Sequence, residues 1–147
     1  MMENLWAGRF EKGMDEMVKE FNASIRFDQR MYHDDIDGSI AHVTMLAEQK
    51  IVTDSEKEQL INGLEKIRTQ ISNGEIGFSV DDEDIHMGIE RRLIAELGEV
   101  GKKLHTARSR NDQCQVDTRM YLRDEAKEIL HSLIALETVI LEKAEKY

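Results

Sequence analysis

Apolar residues recur at spacings of three and four along almost the whole chain, which is the signature of helices with one buried face. Met14, Met17, Val18 and Phe21 predict a short helix over 12–21, broken at Asn22-Ala-Ser24. Tyr32, Ile36, Ile40, Val43, Leu46 and Ala47 form one stripe and predict a helix over 28–50, with Gly38 as its weak point. Thr53-Asp-Ser-Glu56 has capping-box spacing, and Leu60, Ile61, Leu64, Ile67 and Ile71 continue as a helix to the stop at Asn73-Gly74. After a connection containing Phe78, the acids Asp81–Asp84 precede a further helix carrying Ile85, Ile89, Leu93, Ile94 and Leu97, closed by Gly98 and Gly101. Four acids at a helix start are accounted for by capping and by the helix dipole.

The longest pattern comes last. From about Gln113 to Tyr147, Val116, Met120, Ala126, Ile129, Leu133, Leu136, Ile140 and Ala144 return to one side. Such a helix is a rod of roughly 50 Å, longer than the ~30 Å diameter of a domain of this size. Leu122, Ile134, Val139 and Leu141 widen the apolar surface beyond one seam. The helix is therefore expected to join a bundle with helices from elsewhere. The chain has no proline, and its β-branched residues fall within helical patterns, so an all-α fold is predicted.

Composition narrows the function. The chain has 30 acids against 20 Lys and Arg, a formal charge of −10, which argues against general nucleic-acid or membrane-surface binding. No apolar run approaches the ~18 residues of a membrane span. Residues 1–10 have no hydrophobic signal region, so a cytoplasmic protein is expected. Cys114 is the only cysteine, which excludes an intrachain disulfide or a cysteine-rich zinc site. His33 and His42 lack a convincing metal-ligand partner four residues away, and Asp34, Asp35 and Asp37 are expected to form a solvated acidic flank.

Against this acidic background, Lys102–Gln113 carries four cations and no acid before Asp112. It runs Lys-Lys-Leu-His-Thr-Ala-Arg-Ser-Arg-Asn-Asp-Gln and opens the long helix. Arg108 and Arg110 each present a planar fork suited to a carboxylate or phosphate, and a helix start adds N–H groups. Most short basic runs are solvated loops, and charge alone favours that reading over anion binding.

That string carries a resemblance. Thr106-Ala-Arg-Ser-Arg-Asn-Asp-Gln113 resembles a signature of the argininosuccinate lyase family in the fumarase/aspartase superfamily. Leu5-Trp-Ala-Gly-Arg-Phe10, Ser24-Ile-Arg-Phe-Asp-Gln-Arg30, Asp35-Ile-Asp-Gly-Ser-Ile-Ala41, Asp82-Glu-Asp-Ile-His86 and Ile89-Glu-Arg-Arg-Leu93 resemble further blocks in the same order. The resemblance implies an all-α homotetramer that cleaves argininosuccinate reversibly to arginine and fumarate by β-elimination, with no metal or organic cofactor. It implies substrate contacts at Ser24, Ser109, Arg110 and Asn111, with Arg110 on a succinyl carboxylate. It places Asp28, Asp84 and His86 in matching active-site segments, and leaves Arg108 as contact or scaffold.

Two family motifs are not found: one with a Thr-His pair, and a loop of the form Gly-Ser-Ser-x-Met-x-x-Lys-x-Asn. The proton-transfer residues belong to those regions, so the acid and base are expected beyond Tyr147 and no catalytic residue is assigned here. The chain is thus expected to be the N-terminal portion of such a lyase, with residues 1–112 a helical domain carrying binding segments and residues 113–147 the start of a central bundle. In this family each active site draws motifs from three subunits, which agrees with a last helix in need of partners. Two alternatives stand beside this reading: a helical oligomerisation or structural protein derived from the lyase fold, and another superfamily lyase acting on adenylosuccinate, aspartate or malate. The Ser-Arg-Asn-Asp segment argues against the second.

Overall fold

A computed structural model describes residues 14–147. The Leu5–Phe10 block of the resemblance lies outside the described residues. The elements are α1 (Glu16–Asn22), α2 (Ile25–Asp28), a 3-10 turn (Gln29–Met31), α3 (Tyr32–Glu48), α4 (Asp54–Ser72), a 3-10 turn (Val80–Asp82), α5 (Ile85–Leu97), α6 (Glu99–Lys102), a 3-10 turn (Lys103–His105) and α7 (Arg110–Lys146). The described residues contain no strand, so the all-α expectation holds. None of their helices is long and apolar enough to cross a membrane.

The core is a sandwich of α3, α4 and α5. Ile36, Val43 and Leu46 from α3 meet Leu60, Leu64 and Ile67 from α4 and Ile85, Ile89 and Leu93 from α5, with Ile25, Val52 and Leu104 closing the edges. Those from α3, α4 and α5 belong to the three predicted stripes, while Ile25, Val52 and Leu104 fall outside them. Helix α4 begins as predicted: Thr53 Oγ1 accepts from Glu56 N at 3.2 Å, and Glu56 Oε2 accepts from Thr53 N at 2.9 Å.

Three expectations need correction. The 28–50 helix starts only at Tyr32, because Asp28 is tied elsewhere: its carboxylate accepts from Ser24 Oγ and from Ile85 N. Asp34 and Asp35 are buried rather than solvated, at 8% and 0% exposure, because the first turns of α7 lie across that face of α3. Only Asp37 behaves as a surface acid, paired with Arg68 at 2.5 Å. The stripe of α1 does not feed the core, since Met17 and Phe21 stay largely exposed.

Helix α7 has 37 residues and a length of about 55 Å. It starts three residues before the predicted position, because Ser109 and Asp112 form a capping box. Only Gln113 and Asp117 are buried along it, and from Leu122 onward every residue is exposed. Gly38 lets α7 approach α3: a Cβ there would stand 2.9 Å from Gln113 Nε2 and 3.6 Å from Asp117 Oδ1. The expected weak point of α3 is thus the place where the long helix docks.

Candidate functional site

The segments singled out from the sequence meet at the N-terminal end of α5. Asp84 caps that helix, its Oδ1 accepting from Met87 N at 2.7 Å. Its second oxygen, Oδ2, lies 3.0 Å from Arg110 Nε at the start of α7. Glu83 reaches the same guanidinium, Oε1 to Nη2 at 2.7 Å. The Glu83 carbonyl also accepts from Ser24 N at 2.9 Å and Ile25 N at 3.1 Å, which seats the start of α2. Ser24 Oγ donates to Asp28 Oδ2 at 2.6 Å, and Asp28 Oδ1 accepts from Ile85 N at 3.2 Å. Ser24, Asp28, Asp84 and Arg110 therefore form one connected polar cluster from three segments far apart in sequence.

Ser109 and Asn111 stand beside it. Ser109 Oγ accepts from Asn111 N at 3.2 Å, and both residues are exposed. Arg110 is partly exposed; its Nε and Nη2 are engaged by acids, while Nη1 has no hydrogen-bond partner among the described residues. His86 is not hydrogen-bonded to this cluster. It turns inward, Nδ1 lying 2.8 Å from Asp35 Oδ2, with 1% of the residue exposed.

Beneath the cluster lies a buried polar layer between α3 and α7. Arg108 Nη1 donates to Ser39 Oγ at 3.2 Å and to Gln113 Oε1 at 2.7 Å. Gln113 Nε2 donates to the Asp35 carbonyl at 3.2 Å and to Asp117 Oδ1 at 2.8 Å. Arg108 is a strut in this layer, so of its two proposed roles the structure fits scaffold.

Burial sets the electrostatics. It pushes Asp28 above the usual carboxylate range, against the stabilising Ser24 hydrogen bond and with help from the charge of Asp84. Burial likewise raises Asp84, opposed by the Met87 N–H and by Arg110. For Arg110, burial works against the charge, but the hydrogen bond to Glu83 and the charges of Asp84 and Glu83 outweigh it, and its pKa is raised. Arg108 is lowered by burial, despite the attraction of Asp35, Glu90 and Asp117. Asp117 is pushed up to about 9, first by burial and then by Asp35 alongside it. That direction favours a proton shared between the two carboxyl groups, with Asp117 the one that donates to Asp35.

Sequence reasoning missed Glu83, Asp35 and Asp117. Glu83 adopts φ 67°, ψ −63°, a backbone conformation unusual for a non-glycine residue, which turns its carbonyl toward α2 and its side chain toward Arg110. Nothing in the string Asp81–Asp84 singles it out from its neighbours. Gln113 and Asp117 do carry a signal: they sit one turn apart on α7, so they share the face that meets α3.

The arrangement is a cationic fork and exposed amide and hydroxyl groups beside desolvated acids. It can orient a small polar substrate that bears both carboxylate and cationic ends. A family model described as Lyase matches residues 8–147, and the chain belongs to that lyase family. Among its curated relatives are enzymes named argininosuccinate lyase. One from Heliobacterium mobile is 56% identical over 147 residues, covering 100% of this chain and 32% of the relative. Those from Trichlorobacter lovleyi and Acetivibrio thermocellus are each 53% identical, over 97% and 95% of this chain and 31% of the relative. The chain thus spans about a third, 31–32%, of the length of these curated relatives.

Proposed function

We propose that this chain supplies substrate-binding segments of an argininosuccinate lyase, an enzyme that cleaves argininosuccinate to arginine and fumarate by β-elimination. The observation that carries the reading is the convergence of Ser24, Asp28, Asp84 and Arg110 on one cluster in a chain 56% identical, over its full length, to an argininosuccinate lyase. In the elimination a proton leaves the carbon beside a carboxylate, negative charge builds on that carboxylate, and the guanidino nitrogen departs. Donors held in place beforehand lower the barrier. Arg110 meets a succinyl carboxylate through Nη1 while Glu83 and Asp84 hold the rest of its fork. Ser24, Ser109 and Asn111 add neutral hydrogen bonds. Asp28 and Asp84 face the cationic end of the substrate, and His86 shapes the polar network from below. The proton-transfer groups come from other parts of the assembled enzyme.

Residues 1–112 then act as the binding-segment domain, and residues 113–147 open a central bundle completed in a cytoplasmic homotetramer. The apolar surface of α7 from Leu122 to Leu141 supports that assembly.

The test is a chimera in which this chain replaces the corresponding third of the H. mobile relative. Fumarate release from argininosuccinate, followed by absorbance, is expected, and Arg110→Ala in the chimera should abolish most of it. A soluble, folded chimera that releases no fumarate overturns the assignment. Unchanged kinetics in Arg110→Ala overturns the role of that residue.

A further inference from the structure

Helix α5 carries His86 and Glu90 one turn apart, so the two side chains leave the same face. The 3-10 turn Lys103–His105 brings His105 opposite them. Glu90 Oε2 lies 3.7 Å from His86 Nε2 and 3.7 Å from His105 Nδ1. All three donor atoms fall within 4.8 Å of one another. None of these separations is a hydrogen bond. His86 Nε2 is a buried polar atom with no hydrogen-bond partner among the described residues, on a residue only 1% exposed.

The other nitrogen of the imidazole fixes what Nε2 can bind. Nδ1 lies 2.8 Å from Asp35 Oδ2, and Asp35 is 0% exposed. A carboxylate in that position takes the Nδ1 hydrogen and fixes the tautomer whose lone pair sits on Nε2. That lone pair then faces a carboxylate oxygen across 3.7 Å, an approach of two acceptors. A cation there would satisfy both.

We propose that His86 Nε2, Glu90 Oε2 and His105 Nδ1 form a binding site for one divalent transition-metal ion, with zinc as the best match. Two imidazole nitrogens and one carboxylate oxygen are a donor set that zinc uses in open sites. Zinc–ligand bonds of about 2.0–2.2 Å at tetrahedral angles put donors roughly 3.3–3.5 Å apart. The two 3.7 Å separations need a few tenths of an ångström of closure, and the two histidine nitrogens, within 4.8 Å of each other, close further by rotation of the half-exposed His105 side chain. Magnesium and calcium prefer all-oxygen shells and are poorly matched. Asp35 supplies the outer carboxylate that orients a metal-bound histidine. His105, with 45% of its side chain exposed, gives an entry path. The opposing charge is Arg108, which is already shared among Asp35, Glu90 and Asp117.

The ion has a structural role in this scheme and takes no part in the elimination. It ties α5, which Asp84 caps, to the turn that leads into Ser109–Asn111. The site stands independently of the lyase assignment, because its test uses no substrate.

The chain is stripped with chelator and titrated with zinc chloride by calorimetry, and in parallel with cobalt(II) followed by visible absorbance. The expected result is one ion per chain, cobalt bands of tetrahedral intensity and a higher melting temperature. Glu90→Gln and His105→Ala should each weaken zinc binding by about tenfold or more. Circular dichroism confirms that each variant is folded, and His105→Ala is the safer of the two because the side chain is partly exposed. His131→Ala, on the exposed part of α7, should change nothing. Absence of stoichiometric binding overturns the proposal, as does zinc affinity indifferent to both ligand variants. A folded chain that binds no zinc and has His86 as an imidazolium by NMR would assign the same position to a proton, which also overturns it.

Discussion

Asp117→Asn should change how stability depends on pH rather than merely lower it. Asp117 is 1% exposed on α7, next to Asp35, and its pKa in the folded chain is raised to about 9. In the unfolded chain it titrates near 3.9. Between those values the folded state holds a proton that the unfolded state has released. Stability from this group is therefore complete below about pH 4 and declines as pH rises, levelling off only above about pH 9. One proton gives a slope of slightly more than 1 kcal/mol per pH unit, or about 3 kcal/mol between pH 5 and 7. Asparagine imitates the protonated form: its oxygen still accepts from Gln113 Nε2, and its amide can donate toward Asp35. The variant should match the wild type at or below about pH 4 and exceed it increasingly up to pH 8. Urea denaturation at a series of pH values reads the difference, since urea slopes of ~1–3 kcal/mol per molar make such a change a midpoint shift of about one molar or more. Burial also raises Asp28, Asp34 and Asp84, but both proteins carry those slopes and they cancel in the comparison. Parallel stability curves for the two proteins would refute the idea that Asp117 is protonated in the folded chain.

The remaining predictions concern packing, assembly and reactivity. Gly101→Ala should destabilise by about 1–3 kcal/mol, because a Cβ there would stand 2.8 Å from Ile94 Cα and 2.8 Å from Leu93 O, and backbone cannot swing aside; an unchanged urea midpoint would contradict the close approach of α6 to α5. The chain should self-associate in sedimentation equilibrium through α7, and Leu133→Glu with Leu136→Glu should shift it toward monomer while leaving the α3–α4–α5 core folded; a wild type that stays monomeric at high concentration would contradict the proposed bundle. Cys114, raised to about 11 mainly by burial, should react with a thiol reagent at pH 8 much more slowly in the folded chain than in urea. Equal rates would mean that the thiol is not held in its buried environment.

Hydrophobic period carried most of the fold. The stripes of α3, α4 and α5 supply the core residues, and the α4 capping box and the unsupported length of α7 were both readable from spacing. What spacing could not reveal was which polar residues go inside. Asp34, Asp35 and Asp37 are equivalent in a sequence pattern. Only the approach of α7 over Gly38 separates two buried acids from one exposed acid. The same holds at Asp81–Asp84, where Asp84 caps α5, Glu83 adopts a left-handed backbone and grips Arg110, and Asp81 stays at the surface. Local chemistry gives each acid the same reasons to be there, and the fold assigns the roles. At the start of α7 the signal was present but overlooked: Ser109 and Asp112 have the spacing of a capping box, one turn before the apolar stripe becomes regular.

The two contacts that hold the ends of this molecule differ in kind, and that difference bears on the site. Helices α3, α4 and α5 are joined by aliphatic packing, which is strong but not directional. The joint between α3 and α7 is made by Ser39, Arg108, Gln113, Asp117 and Asp35, nearly all of it hydrogen bonds between buried groups. Such a layer is costly wherever a partner is missing, so it tolerates few alternative registers. A slip of α7 along α3 by one residue would strand Gln113 and Asp117 without partners. It would also carry Arg110 away from Glu83 and Asp84 at the start of α5, since Arg110, Gln113 and Asp117 all ride on α7. An aliphatic joint could absorb such a slip at small expense. The polar joint therefore sets where the arginine stands relative to the capped end of α5, and the long exposed remainder of α7 is free to be positioned by whatever packs against it.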